Sequence, residues 1–224
     1  MNLFITGSNG YIARNFIKKA IKKNYFIFAV TQKKNNKKLK NVKWLVGNID
    51  KKWKELNKSD IILHFATVGA YDKYTKFEET INFNVLKSTK MIFNAIEGNC
   101  KKFIIISTNK EKMIERVVNS KKEIEINTNK PHYIYSLSKF IFSKFCLDIS
   151  KIFNLKIRIV NIFQVYGGDE NKKRLWPLLI DHSRKGKNLN MTSGYQTYDF
   201  THIDSVTDGL IKCLNFSVKN KSFP

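Results

Sequence analysis

The stretch Leu3-Phe4-Ile5-Thr6-Gly7-Ser8-Asn9-Gly10-Tyr11-Ile12-Ala13 decides the fold of this chain. Its first residues are apolar, as in a buried strand, and the glycine-containing turn is followed by apolar residues at helical spacing. Gly7 can adopt backbone angles closed to other residues, Gly10 leaves the main chain open to a ligand, and small Ala13 lets the helix pack closely on the strand. The order strand, glycine turn, helix predicts a doubly wound α/β fold.

The helix after this turn would direct its free N–H groups at whatever lies above it, an arrangement that favours a pyrophosphate. We therefore predict a dinucleotide-binding turn. Its expected contact residues are Gly7, Ser8, Asn9, Gly10, Tyr11 and Ile12. An ordinary tight turn between a strand and a helix is the alternative, and the position directly behind an N-terminal strand favours the dinucleotide.

The composition predicts a globular chain with a core of its own. It has 224 residues, of which 42% are hydrophobic, and no apolar run approaches the roughly 18 residues needed to span a membrane. The N-terminus enters a strand directly, without a signal-peptide pattern, so the cytoplasm is the expected location. The three cysteines and four histidines are dispersed, and we predict neither a disulfide framework nor a metal site.

The charge balance is strongly basic, with 41 Lys and Arg against 18 Asp and Glu and a net charge of +23. Such a balance raises nucleic acid as a partner. The arginines are few, however, and the lysines occur throughout the chain beside abundant Asn and Ile, as an AT-rich coding sequence would also produce. Because a groove-reading protein is expected to use more arginine with clustered aromatics, we predict no nucleic-acid partner. Anionic phosphorylated ligands fit the charge.

Downstream, strands and helices alternate as a doubly wound parallel sheet requires. Strands are predicted over residues 25–30, 42–46, 60–65, 103–106 and 157–163, long helices over 78–97 and 133–152, and a polar helix and loop over 109–130. Shorter elements follow: a helix at 177–184, a strand at 200–203 and a helix at 205–214. The helical spacing predicts buried positions at Phe83, Leu86, Ile92, Phe93 and Ile96, and at Ile134, Leu137, Ile141, Phe145 and Ile149. We predict a Rossmann-type domain over 1–165 and a small, partial substrate-binding lobe over 166–224, interleaved with it.

The end of the second strand carries no acidic residue, which bears on the choice of cofactor. An NAD site favours a carboxylate there, whereas this chain has no Asp or Glu before Asp50 and continues as Thr31-Gln32-Lys33-Lys34. Thr31 and Lys33 suit a 2′-phosphate, so we predict NADP, with NAD as the alternative. Further cofactor contacts are expected after the other strands, at Ile49, Asp50, Phe65, Ala66, Thr67 and Ser107.

A phenol and an ammonium group lie four residues apart in Tyr135-Ser136-Leu137-Ser138-Lys139, on one face of a predicted helix. Lowering a phenol pKa from roughly 10 by about 3 units takes roughly 4 kcal/mol, which a neighbouring Lys⁺ and a cationic nicotinamide can supply. Tyr135 would then exchange a proton with a carbinol or carbonyl. In a chain with nine tyrosines and 36 lysines, which are its 41 basic residues less five arginines, the spacing also arises by chance, as a core-edge tyrosine beside a solvated lysine. The preceding strand ends in Ser107-Thr108, where a hydroxyl can bind the same substrate oxygen, and this order favours a catalytic pair.

Seven ordered segments extend the pattern over nearly the whole chain. They are Thr6 to Ala13, His64-Phe65-Ala66-Thr67, Asn84-Val85 with Thr89, Ile106-Ser107-Thr108, Tyr135 to Lys139, Val165-Tyr166-Gly167 and Asp199 to Asp204. Together they resemble the extended short-chain dehydrogenase/reductase family, the group of sugar-nucleotide epimerases, dehydratases and 4-keto reductases. The resemblance implies Thr108, Tyr135 and Lys139 as the catalytic triad. Lys139 would also hold the nicotinamide ribose, and Asn84 would support Lys139 or a water. It further implies a nucleotide-sugar substrate bound by Thr108, Gln164, Arg174 and Tyr198. A homodimer built on the two long helices is also implied, with burial of their apolar faces inside one subunit as the alternative.

Departures from the family pattern narrow the expected chemistry. Dehydratases of this group follow the catalytic threonine with Asp-Glu, where this chain has Asn109-Lys110, so dehydration is not expected. Tyr198 stands where many members carry an arginine for the substrate diphosphate, and the chain stops at Pro224, where members usually continue. We predict an NADP-dependent reductase of a nucleotide-activated 4-keto sugar, serving deoxysugar or surface-polysaccharide synthesis. The alternatives are an NAD-dependent sugar-nucleotide 4-epimerase and a non-catalytic NADP-binding family member.

Overall fold

The computed structural model describes residues 1–33, 38–70, 76–120, 131–195 and 197–216. Lys34, the 121–130 part of the predicted polar helix and loop, and the chain end at Pro224 lie outside the described residues. In the part of the chain that is described, no helix is both long and apolar enough to span a membrane.

Six parallel strands form the central sheet. They are β1 (Asn2–Thr6), β2 (Phe26–Thr31), β3 (Val42–Val46), β4 (Ile61–His64), β5 (Lys102–Thr108) and β6 (Lys156–Ile162). Their order across the sheet is β3-β2-β1-β4-β5-β6, the order of a Rossmann fold. The strands occur where the apolar runs predicted them. The order changes direction between β1 and β4, where Ile5 pairs with Leu63, and such a switch point opens a crevice at the carboxyl ends of the strands.

Helices cover both faces of this sheet. They are α1 (Tyr11–Lys22), α2 (Phe77–Ile81), α3 (Ser88–Glu97), α4 (Glu111–Val118), α5 (Pro131–Ile152), α6 (Leu175–Arg184) and α7 (Ile203–Cys213). A π-helical segment, Asn82–Lys87, joins α2 to α3, and a 3₁₀ helix, Lys54–Lys58, precedes β4. A separate parallel pair, β7 (Gln164–Tyr166) and β8 (Phe200–His202), lies beyond the main sheet. The predicted helices are thus confirmed within the described residues, and the division at residue 165 stays a prediction.

The sheet separates two apolar clusters, because successive strand residues point to opposite faces. Phe4 of β1 packs with Phe142 of α5 and the buried face of α3, whereas Leu3 packs with Phe16 of α1 and Leu210 of α7. Burial of each such large side chain contributes about 1.5–3 kcal/mol. Strands buried on both faces explain why the sequence shows continuous apolar runs there.

Three of the predicted core positions are wrong. Leu86 is 60% exposed, Phe93 38% and Ile141 39%. Leu86 lies in the π-helical segment, whose wider turns rotate side chains away from a 3.6-residue pattern. Phe93 and Ile141 each adjoin a fully buried neighbour, Ile92 and Phe142, and adjacent helix residues lie about 100° apart, so both cannot face the sheet.

Candidate active site

A cavity of about 700 Å³ lies at the carboxyl ends of the strands, where the sheet order reverses. It extends from Gln32 and Lys33 after β2, over the glycine turn after β1, to Tyr135 and Lys139 on α5 and Arg174 before α6. Four of its lining side chains are cationic, namely Lys33, Lys110, Lys139 and Arg174, and among the described lining residues none is Asp or Glu. The cavity is therefore suited to a long anionic ligand.

The glycine turn is fixed by close contact with the loop after β4. Gly7 has a φ of +67°, and a Cβ on it would lie 2.6 Å from the backbone nitrogen of Ala66. The Gly10 amide donates to the Gly7 carbonyl at 2.8 Å and closes the turn. Ser8 is buried and does not line the cavity; its hydroxyl donates to the Ile5 carbonyl at 2.8 Å. The predicted contact at Ser8 is thus a turn-stabilising residue in the structure.

The N-terminus of α1 fits a pyrophosphate. Gly10 is its N-cap, no side chain caps it, and no acidic residue lies in its first turn. The next residues, Tyr11, Ile12 and Ala13, line the cavity together with Asn9. Backbone N–H groups of an uncapped helix start favour an anion through their dipoles. The residues present therefore fit the diphosphate of a dinucleotide.

The strand end at β2 offers hydroxyl, amide and ammonium groups. Thr31, Gln32 and Lys33 line the cavity. Asn9 Nδ2 donates to Thr31 Oγ1 at 2.5 Å, and Thr31 Oγ1 donates to the Lys33 carbonyl at 3.0 Å. The Thr31 hydroxyl therefore already holds the loop to the glycine turn, while Lys33 is exposed.

Most of the residues predicted after β3 and β4 line the cavity, but one does not. Ile49, Phe65, Ala66 and Thr67 line the cavity as predicted. Asp50 does not, and its Oδ1 is buried without a hydrogen-bond partner among the described residues. Its backbone carbonyl accepts from Asn94 on α3 at 2.9 Å, which holds this residue against the helix and away from the cavity.

The three residues expected to carry catalysis line this one cavity: Thr108 at the end of β5, and Tyr135 and Lys139 one turn apart on α5. Ser107 lines it as well. Lys139 is only 3% exposed, and burial lowers the pKa of its ammonium group to about 8, with Glu111 opposing that shift. The catalytic roles of these residues stay predictions.

Asn84 lies behind the cavity wall and joins two of its elements. Its Nδ2 donates to the Val68 carbonyl at 3.0 Å and to Ser138 Oγ at 2.9 Å, and its Oδ1 accepts from the Val68 amide at 2.9 Å. Ser138 precedes Lys139 and donates to the Tyr135 carbonyl at 2.8 Å. Asn84 thus stabilises the backbone around Tyr135 and Lys139 without lining the cavity.

A buried histidine adds a second support. His64 Nδ1 hydrogen-bonds Thr6 Oγ1 at 2.8 Å, and its Nε2 hydrogen-bonds Ser88 Oγ at 3.1 Å, which joins β1, β4 and α3. Burial, with the nearby Lys139 charge, lowers the pKa of His64 to about 3, so the ring is neutral near pH 7.

The substrate side of the cavity contains two of the predicted residues. Gln164 and Arg174 line it, and Arg174 Nη2 donates to Gln164 Oε1 at 3.3 Å. Glu170, whose side chain is almost fully buried, pairs with Arg174 Nε at 3.0 Å. Tyr198 does not line the cavity; it is 57% exposed and its ring contacts Phe200.

Sequence reasoning missed the buried carboxylate of Glu111 and several lining residues, among them Phe83, Lys110 and Phe163. Glu111 is the acidic residue in the first turn of α4, a placement that ordinarily complements the helix dipole on the surface. Its proximity to Ser107-Thr108 in the sequence was the available signal. Among the described residues, no three His, Cys, Asp or Glu side chains gather where they could hold a metal ion.

Solved structures with the same fold include epimerases and a dehydratase of nucleotide sugars. UDP-glucose 4-epimerase of Thermotoga maritima, solved with UDP-glucose, is 16% identical with a TM-score of 0.76 over 96% of this chain and 73% of that one. UDP-glucuronic acid 4-epimerase of Bacillus cereus, solved with UDP-glucuronic acid and NAD, is 21% identical with a TM-score of 0.77 over 97% and 74%. The dTDP-glucose 4,6-dehydratase DesIV of Streptomyces venezuelae, solved with NAD, is 20% identical with a TM-score of 0.74 over 96% and 72%. No curated protein matches the chain significantly.

Fold and cavity together define a protein of the Rossmann class with an elongated, cation-lined cavity at the carboxyl ends of its strands. The sequence also matches the NAD-dependent epimerase/dehydratase family over residues 3–223. The chain therefore belongs to that family, and the resemblance found in its motifs is confirmed. Membership in a family of NAD-dependent epimerases and dehydratases makes this chain an NAD(P)-dependent enzyme.

Proposed function

We propose that this protein is an NADP-dependent reductase of a nucleotide-activated 4-keto sugar, with Tyr135 as the proton donor. The observation that carries the proposal is the charge of the cavity wall, which has four cationic side chains and, among the described residues, no carboxylate at either end. At the β2 end this favours a cofactor with a 2′-phosphate over one that needs a carboxylate on the ribose. At the catalytic end, the positive charge of the wall favours a substrate carbonyl whose oxygen becomes negative during reduction and then gains a proton.

The cofactor would lie along the carboxyl ends of the strands. The N-terminus of α1 with Gly7 and Gly10 would hold its diphosphate, Thr31 and Lys33 its adenosine ribose, and Lys139 its nicotinamide ribose. When bound, the cofactor supplies the hydride that reduces the sugar carbonyl. Arg174 and Gln164 would bind the substrate diphosphate, where a guanidinium and an amide can share oxygens of two phosphates.

The protein's own residues would then handle the proton. Thr108 would donate a hydrogen bond to the carbonyl oxygen and hold it near the Tyr135 phenol. Tyr135 would transfer its proton to that oxygen as negative charge develops there. The Lys139 ammonium would stabilise the phenolate left behind, which lowers the cost of proton release.

Dehydration is disfavoured by the same wall. Elimination of water needs an acid and a base near the sugar, and the residues that follow Thr108 into the cavity are Asn109 and Lys110. The nearby carboxylate of Glu111 accepts hydrogen bonds from two serines and does not line the cavity. It is therefore poorly placed to remove a sugar proton.

One observation favours a second function, an NAD-dependent 4-epimerase. The Thr31 hydroxyl already bonds Asn9 and the Lys33 carbonyl, so it is less available to a 2′-phosphate than the sequence suggested. An epimerase would retain NAD and return the hydride to the opposite face of the sugar. A non-catalytic cofactor-binding protein is the remaining alternative.

Cofactor titration and turnover separate these functions. We expect NADPH to bind more tightly than NADH, and expect its oxidation with one of the UDP-, dTDP-, CDP- or GDP-linked 4-keto sugars. Tyr135→Phe should lower turnover by at least about 100-fold with cofactor affinity nearly unchanged. Tyr133→Phe, two residues away on α5 and outside the cavity lining, is the matched control and should retain activity. Tight retention of NAD with no NADPH consumption would favour the epimerase, and no turnover with any substrate the non-catalytic protein.

We also propose a homodimer, supported by apolar residues exposed on the two long helices. Leu86, Phe93, Ile141 and Leu147 are all more than a third exposed. Light scattering should give twice the chain mass, and Leu147→Glu should shift it to the monomer. The cytoplasmic location expected from the sequence remains a prediction.

A further inference from the structure

A buried carboxylate lies behind the catalytic end of the cavity, and the proton transfer proposed above does not use it. Glu111, the first residue of α4, is 8% exposed. It accepts hydrogen bonds from Ser107 Oγ and, at 2.7 Å, from Ser143 Oγ. Ser107 precedes Thr108 at the end of β5, and Ser143 lies one helical turn beyond Lys139 on α5. Glu111 therefore joins the two elements that carry the catalytic groups.

The carboxylate of Glu111 loses hydration on burial, and two serine hydroxyls donate to it in place of water. A buried carboxylate persists in a folded protein when a cation or strong donors compensate for its lost hydration. The ammonium group of Lys139 feels this charge: burial lowers the pKa of Lys139 to about 8, and Glu111 raises it against that trend. Glu111 therefore favours the ammonium form of Lys139 where α4 packs against α5.

The other titratable groups around Lys139 do not replace Glu111 near neutral pH, although a Cys146 thiolate would act in the same direction. His64 at the end of β4 is neutral, since its pKa is lowered to about 3. Cys146 on α5 stays a thiol near neutral pH, because burial raises its pKa to about 12. Lys110, which lines the same cavity, is a cation and brings no negative charge.

We propose that Glu111 is a positioning residue that holds Lys139 in its ammonium form and fixes the end of β5 against α5 through Ser107 and Ser143. The end of β5, which carries Thr108, then stays fixed relative to Tyr135 on α5. The Tyr135 phenol also has a cationic neighbour before any cofactor binds. The catalytic consequence rests on the proposed reductase or epimerase function. The coupling of the two charges does not.

The coupling can be measured in the cofactor-free protein by NMR titration of ¹³Cε-labelled lysine. One resonance should titrate with a pKa of about 8, well below the pKa of ordinary surface lysines, and Lys139→Met should remove that resonance. Glu111→Gln should lower that pKa by about one further unit, because the charge that opposes burial is gone. Glu111→Asp, which keeps a carboxylate, should restore at least half of the difference.

A matched control and a second variant keep the test decisive. Glu115→Gln removes a carboxylate one turn further along α4, where the side chain is half exposed beside Lys144, and should leave the low pKa unchanged. Should Glu111→Gln fail to fold, the double variant Glu111→Met with Ser143→Ala takes its place, because it removes the charge without burying an unpaired amide. A Lys139 pKa that stays within about 0.3 units of the parent value in whichever variant folds would overturn the proposal.

The pH profile of turnover tests the catalytic consequence. In Glu111→Gln, Lys139 loses its proton at lower pH, so the alkaline limb of kcat/KM should move down by about one unit, and Glu111→Asp should move it back. A uniform loss of rate without a shift would indicate a structural role and would also overturn the proposal. A parent protein without turnover would instead refute the proposed function, and the NMR comparison would stand on its own.

Discussion

The glycine turn and the loop after β4 approach each other so closely that a side chain at Gly7 should destabilise the fold. Gly7 combines a φ of +67° with a position where a Cβ would lie 2.6 Å and 2.7 Å from the nitrogen and Cα of Ala66 and 2.9 Å from the carbonyl carbon of Phe65. All three are backbone atoms, so no side chain can rotate away. Gly7→Ala must therefore either strain the turn or move the two strand ends apart.

The magnitude follows from two separable contributions. A left-handed backbone conformation costs an alanine about 1–2 kcal/mol. Insertion of a methyl group into a site without room costs about a further 1–3 kcal/mol. Gly186→Ala is the matched control, since Gly186 has a φ of +60° and no heavy atom within 4 Å of the added Cβ. We expect about 1–2 kcal/mol for Gly186→Ala and about 2–5 kcal/mol for Gly7→Ala, and their difference measures the contact with Ala66.

Urea unfolding followed by tryptophan fluorescence measures both changes, because the chain has three tryptophans. A domain of this size has about 5–15 kcal/mol to lose, so the Gly7 variant should remain folded with a clearly lower midpoint. Equal midpoints for the two variants would refute the reasoning. They would mean that the turn can open at no cost and that the β1 and β4 ends are not held together.

Two further predictions concern the pH dependence of stability. Lys139→Met should stabilise the protein at pH 7 by roughly 3 kcal/mol, because the native pKa of about 8 lies below the ordinary value of 10.5. This gain in stability should shrink between pH 8 and 10.5, where the native state loses the lysine proton before the unfolded state does. A variant that is less stable than the parent at pH 7 in urea unfolding would contradict the prediction. His64 gains a proton near pH 6.5 when unfolded and near pH 3 when folded, so the parent should lose about 1.4 kcal/mol per pH unit between those values on its account. Urea unfolding at pH 7 and pH 5 should show a smaller loss in His64→Asn, and equal slopes would contradict the neutral, buried ring.

The fold was accessible to sequence reasoning because its signals are local. Each strand of the central sheet is an apolar run that ends in a turn residue, and the turn at Gly7 and Gly10 places the first helix. The misplaced core positions show where that reasoning ends. A repeat of 3.6 residues extrapolated through Asn82–Lys87 does not allow for the π-helical turn. The local sequence does not predict such a turn, because tertiary contacts stabilise it. Here Asn84, inside that segment, makes those contacts.

The sequence predicted which residues lie at the strand ends around the site, but it did not predict the directions of their side chains. Thr108, Tyr135 and Lys139 line the cavity because a carboxyl strand end and one helix face must meet at the switch point. Ser8 and Asp50 occupy equally suggestive sequence positions, yet the direction of a side chain in a tight turn depends on atoms far away in the chain. Ser8 bonds Ile5, and the Asp50 backbone is held by Asn94.

The distribution of charge around the cavity unites these observations. Cations line it, while the carboxylates that act on them lie behind its wall: Glu111 on Lys139 and Glu170 on Arg174. A carboxylate inside the cavity would repel an anionic ligand, whereas one behind the cation orients it and keeps it charged after burial. With Glu111 acting as proposed, these two cations are held before a ligand arrives, and less conformational entropy remains to be lost on binding. Neutralising either carboxylate should therefore weaken binding through the cation that it orients, although neither carboxylate contacts the ligand.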